Sequence, residues 1–248
     1  MRDYKKETEE RVAFIRHLLE ESRCRGIVFG NSGGKDCALV GILSKMACDN
    51  TVSVMMPAGS KINLTTDLED ARALCDTFHI ENRLVDLTET KKAHIAALEK
   101  VTELNSQALT NIAPRLRMTT LYAIGAAEGR LVAGTGNRSE RYMGYFTKWG
   151  DGGCDFNPIS DLTVGEVYDF LRYLGAPKSI IEKAPSAGLF EGQTDEKEMG
   201  VTYRAIDEYI LTGNATEEDR AIIDRYHARA LHKLNLIPMF ETYKKGEK

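Results

Sequence analysis

Residues 25–41 read RGIVFGNSGGKDCALVG: a short apolar run, a glycine turn, and the opening of a patterned helix. Ile27, Val28 and Phe29 are β-branched or aromatic and stop at Gly30, the pattern of a strand buried in a parallel sheet. Ala38, Leu39, Ile42, Leu43 and Met46 then recur at helical spacing, so Ser32, Gly33 and Gly34 fall where strand becomes helix. Paired glycines let main-chain N–H groups close on an anion without Cβ interference, and a helix N-terminus adds partial positive charge. The turn suits a phosphate.

Spacing excludes a Walker A loop, which needs glycine at position 29 and Ser or Thr at 36; the chain has Phe29 and Asp36. A flexible N-cap alone would also account for Ser-Gly-Gly. Asp36 weighs against that reading, because a carboxylate in the first helical turn repels a bound phosphate unless a cation lies between them. Mg²⁺ is the economical bridge, a hard ion that takes one or two carboxylates plus phosphate oxygens.

The rest of the chain alternates. An amphipathic helix over 5–23 precedes the first strand, and residues 51–56 read as a second strand stopped by Pro57. Thr66 with Glu69 has capping-box spacing for the next helix, and residues 83–87 give a third strand. Helices over 89–104 and 111–128 lead to a fourth strand at Leu131-Val132-Ala133. Thr163 with Glu166 caps a helix that ends at Gly175, and helices over 201–211 and 217–234 close the chain, the last capped by Thr216. This order predicts an α/β fold, a doubly wound parallel sheet with flanking helices, in one domain over residues 1–248. Gly125, Ala126 and Ala127 allow close helix approach, either inside the core or across a dimer interface. Residues 185–200 lack periodicity and read as a mobile lid or a long surface connection.

Composition narrows the partners. The 248 residues are 42% hydrophobic and 28% charged, with a formal charge of -4, which argues against a general nucleic-acid surface. No apolar run approaches membrane-spanning length and the charged start is not a secretory signal, so a cytoplasmic setting is expected. The five cysteines form no C-x-x-C pair, which disfavours structural zinc and a disulfide framework. Cys37, at a helix N-terminus, is either a small buried residue or a more reactive thiol.

The fourth strand runs into Gly134-Thr135-Gly136-Asn137, which lacks the third glycine of a dinucleotide fingerprint. In a parallel sheet this turn opens on the same side as the Ser32 loop. Beyond it, Glu140, Lys148, Asp151 and Asp155 are interleaved with Tyr142, Tyr145, Phe146 and Trp149. Such aromatics suit stacking on a planar ring, and the charges suit phosphate or carboxylate. A nucleotide-like substrate meets both needs.

Two resemblances follow. Ser32-Gly33-Gly34-Lys35-Asp36 is similar to the SGG-x-D-S loop of the N-type ATP pyrophosphatases, with Cys37 in place of the final serine and Lys35 at the variable position. The segment GTGNRSERYMGYFTKWGDGGCDFNPISDLT, with NIAPRLRM upstream and PSAGLFEGQTDEKEMG downstream, resembles the signature of the ammonia-dependent NAD synthetases. The likeness covers nearly the whole chain. It implies an adenine-nucleotide α-hydrolase-like fold, a homodimer, and amidation of deamido-NAD by ammonia, with ATP as co-substrate and Mg²⁺ as cofactor.

The resemblance also implies roles. ATP binding falls to Gly30, Asn31, Ser32, Gly33, Gly34, Lys35, Asp36 and Cys37, with Thr135 and Ser186. Deamido-NAD binding falls to Arg115, Lys148, Asp155, His232 and Lys233, and Mg²⁺ binding to Asp36 and Glu140. No side chain is assigned as a covalent catalyst, since positioning and charge stabilisation suffice. Val164 stands where the family commonly has a lysine that contacts ATP, so Lys35 is a candidate to meet that charge. Another N-type pyrophosphatase, or a nucleotide sensor without turnover, is the alternative.

Overall fold

The computed structural model describes residues 2–59, 66–183, 195–235 and 237–240. Strands β1 (Gly26–Gly30), β2 (Thr51–Met55), β3 (Glu81–Leu84) and β4 (Arg130–Ala133) form one sheet in the order β3-β2-β1-β4, every pair parallel. Ile27 lies in register with Thr51 on one side and Leu131 on the other. A parallel bridge from Ala133 to Phe156 extends the pairing beyond β4.

The helices are α1 (Tyr4–Ser22), α2 (Lys35–Ala47), α3 (Thr66–Phe78), α4 (Thr88–Leu98), α5 (Ser106–Glu128) and α6 (Arg138–Met143), then α7 (Val164–Leu174), α8 (Lys178–Ile181), α9 (Asp195–Met199), α10 (Tyr203–Thr212) and α11 (Glu217–Leu234). The two-residue period of a strand sends alternate side chains to opposite faces. Ile27, Phe29 and Ala133 therefore pack with Ile15 of α1, Leu39 and Ile42 of α2, and Phe170 and Leu171 of α7. Val28, Val52, Val54 and Val132 pack with Met118 and Leu121 of α5. Helices cover both faces, as the alternation predicted.

A third apolar cluster joins Met143, Val164, Tyr203, Ile206 and Ile223, from α6, α7, α10 and α11. Topology fixes where a ligand can enter. The chain leaves β1 toward β2 and returns later to β4 on β1's other side, so the loops after β1 and β4 part at the sheet's switch point.

Some boundaries moved. The third strand is Glu81–Leu84 rather than 83–87, although Val85 and Leu87 still donate to the carbonyls of Met55 and Pro57, at 2.9 and 2.8 Å. The helix expected over 89–104 ends at Leu98, and the next begins at Ser106 instead of 111, capped by Asn105 through Ala108 N–H at 2.8 Å. Pro114 therefore lies inside α5, where its missing N–H costs a helical hydrogen bond. Thr66 is already helical, so it does not act as the cap of α3. Helix α6 replaces part of what read as an irregular polar segment. Both capping boxes of α6 and α7 are complete, and Thr216 caps α11. No described helix is long and apolar enough to cross a membrane.

The small-residue stretch of α5 divides in two. Gly125 is buried, and a Cβ there would come within 3.0 Å of the Arg130 carbonyl of β4. Ala126 and Ala127 are exposed. Core packing therefore accounts for Gly125 and leaves the outer face to the two alanines. On the opposite side of the sheet Gly41 of α2 rests against Phe29, whose ring carbon would lie 2.6 Å from an added Cβ. Gly41→Ala is expected to lower unfolding stability by about 1 kcal/mol in urea titration, because overpacking outweighs the better helix propensity. A gain in stability would show that α2 can lift away from the sheet.

Candidate functional site

Gly33 adopts φ +74°, and a Cβ there would sit 2.3 Å from the Asp67 carbonyl of α3. Only glycine passes that turn without moving α3. Asp67 and Asp70 are tied down by Lys183, whose Nζ donates to both carboxylates at 2.8 Å. Asn31 is buried and turned inward: its amide donates to Ser53 Oγ at 3.0 Å, and its Oδ1 accepts from Gly33 N–H at 3.0 Å. Its side chain shapes the loop from beneath. Gly34 then caps α2 without a side-chain hydrogen bond, which leaves the first N–H groups of a 13-residue helix open to an anion in the cleft.

The loop after β4 meets this turn. Asn137 is fully buried and forms a reciprocal capping box with Glu140 on α6. Its Nδ2 also donates to Asp36 Oδ1 at 3.0 Å. One side chain thus fixes the start of α6 and one carboxylate of α2. Lys35 completes the junction, its Nζ lying 2.8 Å from Asp36 Oδ2 and 3.8 Å from Glu140 Oε1.

The electrostatics follow from burial. Desolvation, then the facing Asp36 charge, pushes Glu140 well above the usual carboxylate range. Burial alone would lower Lys35, but Asp36 and Glu140 outweigh it and hold the ammonium more firmly protonated than usual. For Cys37, burial raises the thiol, and its Sγ lies 3.0 Å from the Gly34 carbonyl and 3.4 Å from Ser32 Oγ. Of the two readings of Cys37, burial favours the small buried residue.

Gly30 to Gly34, Lys35 to Cys37, Thr135 and Glu140 surround a cleft of about 890 Å³, save for Gly33, which packs on α3 behind it. The chemistry of the donor set fits a divalent ion: two hard carboxylate oxygens stand beside a phosphate-sized cradle. Among the described residues no group of three or more His, Cys, Asp or Glu could hold an ion alone. Phosphate oxygens would have to supply the remaining ligands. Ser186 lies outside the described residues.

The other expected substrate residues separate. Lys233 lines the cleft and donates to the carbonyls of Gly144 and Phe146, at 2.8 and 2.7 Å. Desolvation lowers its pKa. Arg115, Lys148 and His232 form a chain on the outside: Arg115 Nε donates to the Lys148 carbonyl at 3.3 Å, and Lys148 Nζ to the His232 carbonyl at 2.6 Å. Asp155 accepts from Tyr122 O–H of α5 at 3.1 Å and from Val132 N–H at 2.8 Å. These four do not line the cleft.

The aromatics divide likewise. Tyr145 and Phe146 line the cleft, whereas Tyr142 stacks on His227 at 4.1 Å and Trp149 is exposed. The sequence reading missed Asn137, Lys183 and the Tyr168 and Tyr203 rings beside Lys35. Asn-x-x-Glu capping-box spacing was a signal available for Asn137. Nothing comparable marks the other three. Val164 buries its side chain in the third apolar cluster, which accounts for an apolar residue there.

The fold is an α/β parallel sheet whose glycine turn and α2 N-terminus open into a cleft at the switch point. Residues 7–245 match the NAD synthase family model, and the chain belongs to that family. It is 45% identical over 242 residues to the NH(3)-dependent NAD(+) synthetase of Carboxydothermus hydrogenoformans, covering 96% of this chain and 98% of that one. Among solved structures it resembles the NMN synthetase of Francisella tularensis, with TM-score 0.91, 34% identity, and coverage of 96% and 99%. The NH3-dependent NAD synthetase of Campylobacter jejuni gives TM-score 0.78 at 30% identity, with coverage of 97% and 100%. The adenine-nucleotide α-hydrolase-like fold expected from the sequence agrees with these neighbours.

Two outcomes check the site. Asn137→Ala removes a helix cap and a buried inter-loop hydrogen bond, so chemical denaturation is expected to register a loss of about 2 kcal/mol. A change near zero would mean that α6 and α2 hold together without it. Iodoacetamide at mildly alkaline pH is expected to modify half-buried Cys24 and Cys48 well before Cys37 and Cys75, whose buried thiols titrate upward. Peptide mapping that finds Cys37 modified first would overturn its assignment as an inert thiol.

Proposed function

We propose that the protein is an ammonia-dependent NAD synthetase. It uses ATP as co-substrate to convert the carboxylate of deamido-NAD into the amide of NAD. The observation that carries this reading is the meeting of the α2 N-terminus, Asp36 and Glu140 in one cleft, in a chain similar to synthetases along its whole length.

A carboxylate is a poor electrophile, so the reaction proceeds through activation. A carboxylate oxygen attacks the α-phosphorus of ATP, the bond to the bridging oxygen breaks, and pyrophosphate leaves. Ammonia then attacks the acyl carbon of the adenylate, the carbon–oxygen bond breaks, AMP departs, and the nitrogen releases a proton. Open N–H groups at the Gly34 turn hold the phosphates, with the 30–37 loop, Thr135 and Ser186 forming the rest of the ATP site. Asp36 and Glu140 would hold Mg²⁺, which supplies charge neutralisation for the leaving pyrophosphate. The protein's contribution is to align the two substrates and keep bulk water from the adenylate.

Arg115, Lys148, Asp155, His232 and Lys233 bind the pyridine nucleotide in this reading. Arg115 lies on α5 and Asp155 bonds to its Tyr122, so a homodimer that covers the exposed Tyr122 and Ala126 side would adjoin both. We read the 248 residues as one domain working in the cytoplasm, with no nucleic-acid partner.

A second reading is favoured by one observation, the higher TM-score to the NMN synthetase. The same chemistry on the mononucleotide acid would give NMN. Purified protein with ATP, Mg²⁺ and ammonium, offered deamido-NAD or nicotinic acid mononucleotide, is expected to make NAD and equimolar AMP, detected by mass spectrometry, with the dinucleotide preferred. A preference for the mononucleotide would establish the second reading, and AMP without either amide would send the search to another acceptor. Asp36→Asn is expected to lower kcat/KM by about 100-fold or more with the fold intact by circular dichroism. Unchanged turnover would remove Asp36 from the metal role.

A further inference from the structure

Lys35 is a buried lysine, 6% exposed at the first position of α2. Its carboxylate partners come from different elements: Asp36 is its neighbour on α2, and Glu140 belongs to α6 beyond β4. At 2.8 Å the Asp36 contact is a charge-assisted hydrogen bond; at 3.8 Å the Glu140 contact is a charge contact without one. The rings of Tyr203 and Tyr168 lie 5.7 and 6.0 Å from Nζ and border it from α10 and α7. The ammonium therefore stands beside the two carboxylates proposed above as metal ligands, on the wall of the cleft that would receive ATP.

Two neighbouring, half-buried carboxylates repel unless a cation lies by them, and the protein needs one before nucleotide arrives. A lysine suits that role better than arginine, being a compact charge on a flexible four-carbon stem that can change partners without moving backbone. We infer that Lys35 is an internal counter-cation, neutralising Asp36 and Glu140 in the nucleotide-free protein and moving onto the triphosphate when the divalent ion takes the carboxylates. This rests on the reading of Asp36 and Glu140 as metal ligands. It adds an order to it, because ion and ammonium compete for the same oxygens until phosphates offer the ammonium a second anion. Metal and nucleotide then favour each other's binding, and Lys35 carries part of that coupling.

The test uses Mn²⁺ as probe, its free concentration followed by electron paramagnetic resonance, with and without a non-hydrolysable ATP analogue. Wild-type protein is expected to bind Mn²⁺ weakly alone and much more tightly with the analogue. Lys35→Met is expected to tighten Mn²⁺ binding to the nucleotide-free protein by about tenfold and to shrink the coupling by a similar factor. Lys35→Gln carries the same expectation with a polar side chain, should the Met variant not fold without metal. Thermal unfolding gives a second readout, since Mn²⁺ should raise Tm more for the variants than for wild type.

Equal or weaker Mn²⁺ binding in both variants, with binding still lost in Asp36→Asn and Glu140→Gln, would overturn the counter-cation role and leave the metal reading standing. Mn²⁺ binding indifferent to Asp36→Asn and Glu140→Gln would overturn the metal reading itself, and this inference with it.

Discussion

The amide of Asn137 reaches across the gap between two loops that follow non-consecutive strands, and its hydrogen bond to Asp36 holds the cleft's two walls in register. Beneath it the geometry is set by topology, since β1 and β4 are neighbours and their following loops part at the switch point. Above it, Lys35 reaches both carboxylates, and Glu140 is fixed in turn by the capping box that Asn137 shares. Asn137 and Lys35 together bring Asp36 of α2 and Glu140 of α6 into one geometry. Burial gives the arrangement its strength, because each group is costly to leave without a partner in a low-dielectric setting.

Much of this was legible before the fold was known. Ile27 to Gly34 marked a strand, a tight turn and a helix N-terminus, and Asp36 pointed to a cation beside a phosphate. Alternation of strand and helix patterns gave the sheet and its two covered faces. What escaped lay where periodicity is weak. Helix α6 has six residues in a polar segment, too short to show an apolar stripe, so only its Asn-x-x-Glu cap marked it. The start of α5 at Ser106 precedes Pro114, which lies inside the helix. The partners of Lys35 come from four elements, and no local pattern reports such a meeting.

The residues proposed for the pyridine nucleotide have a different physical character. Around the α2 N-terminus, Asn31, Lys35 and Asn137 are buried with fixed partners. Arg115, Lys148 and His232 instead form a surface chain through main-chain carbonyls, and Asp155 is tied to β4 and Tyr122. Lys233 alone of the five faces the cleft, where its contacts to Gly144 and Phe146 shape the wall that carries Tyr145 and Phe146. The α2 end of the cleft is thus the more buried, and the Arg115, Lys148 and His232 chain the more exposed.

In the proposed reaction the cleft activates a carboxylate by transferring an adenylyl group to it. Deamido-NAD carrying oxygen-18 in both carboxylate positions tests this most directly. The account predicts one heavy oxygen in AMP, one retained in the amide of NAD, and none in pyrophosphate. Heavy oxygen in inorganic phosphate or pyrophosphate, with unlabelled AMP, would contradict it, because the carboxylate would then have attacked a phosphorus other than the α-phosphorus.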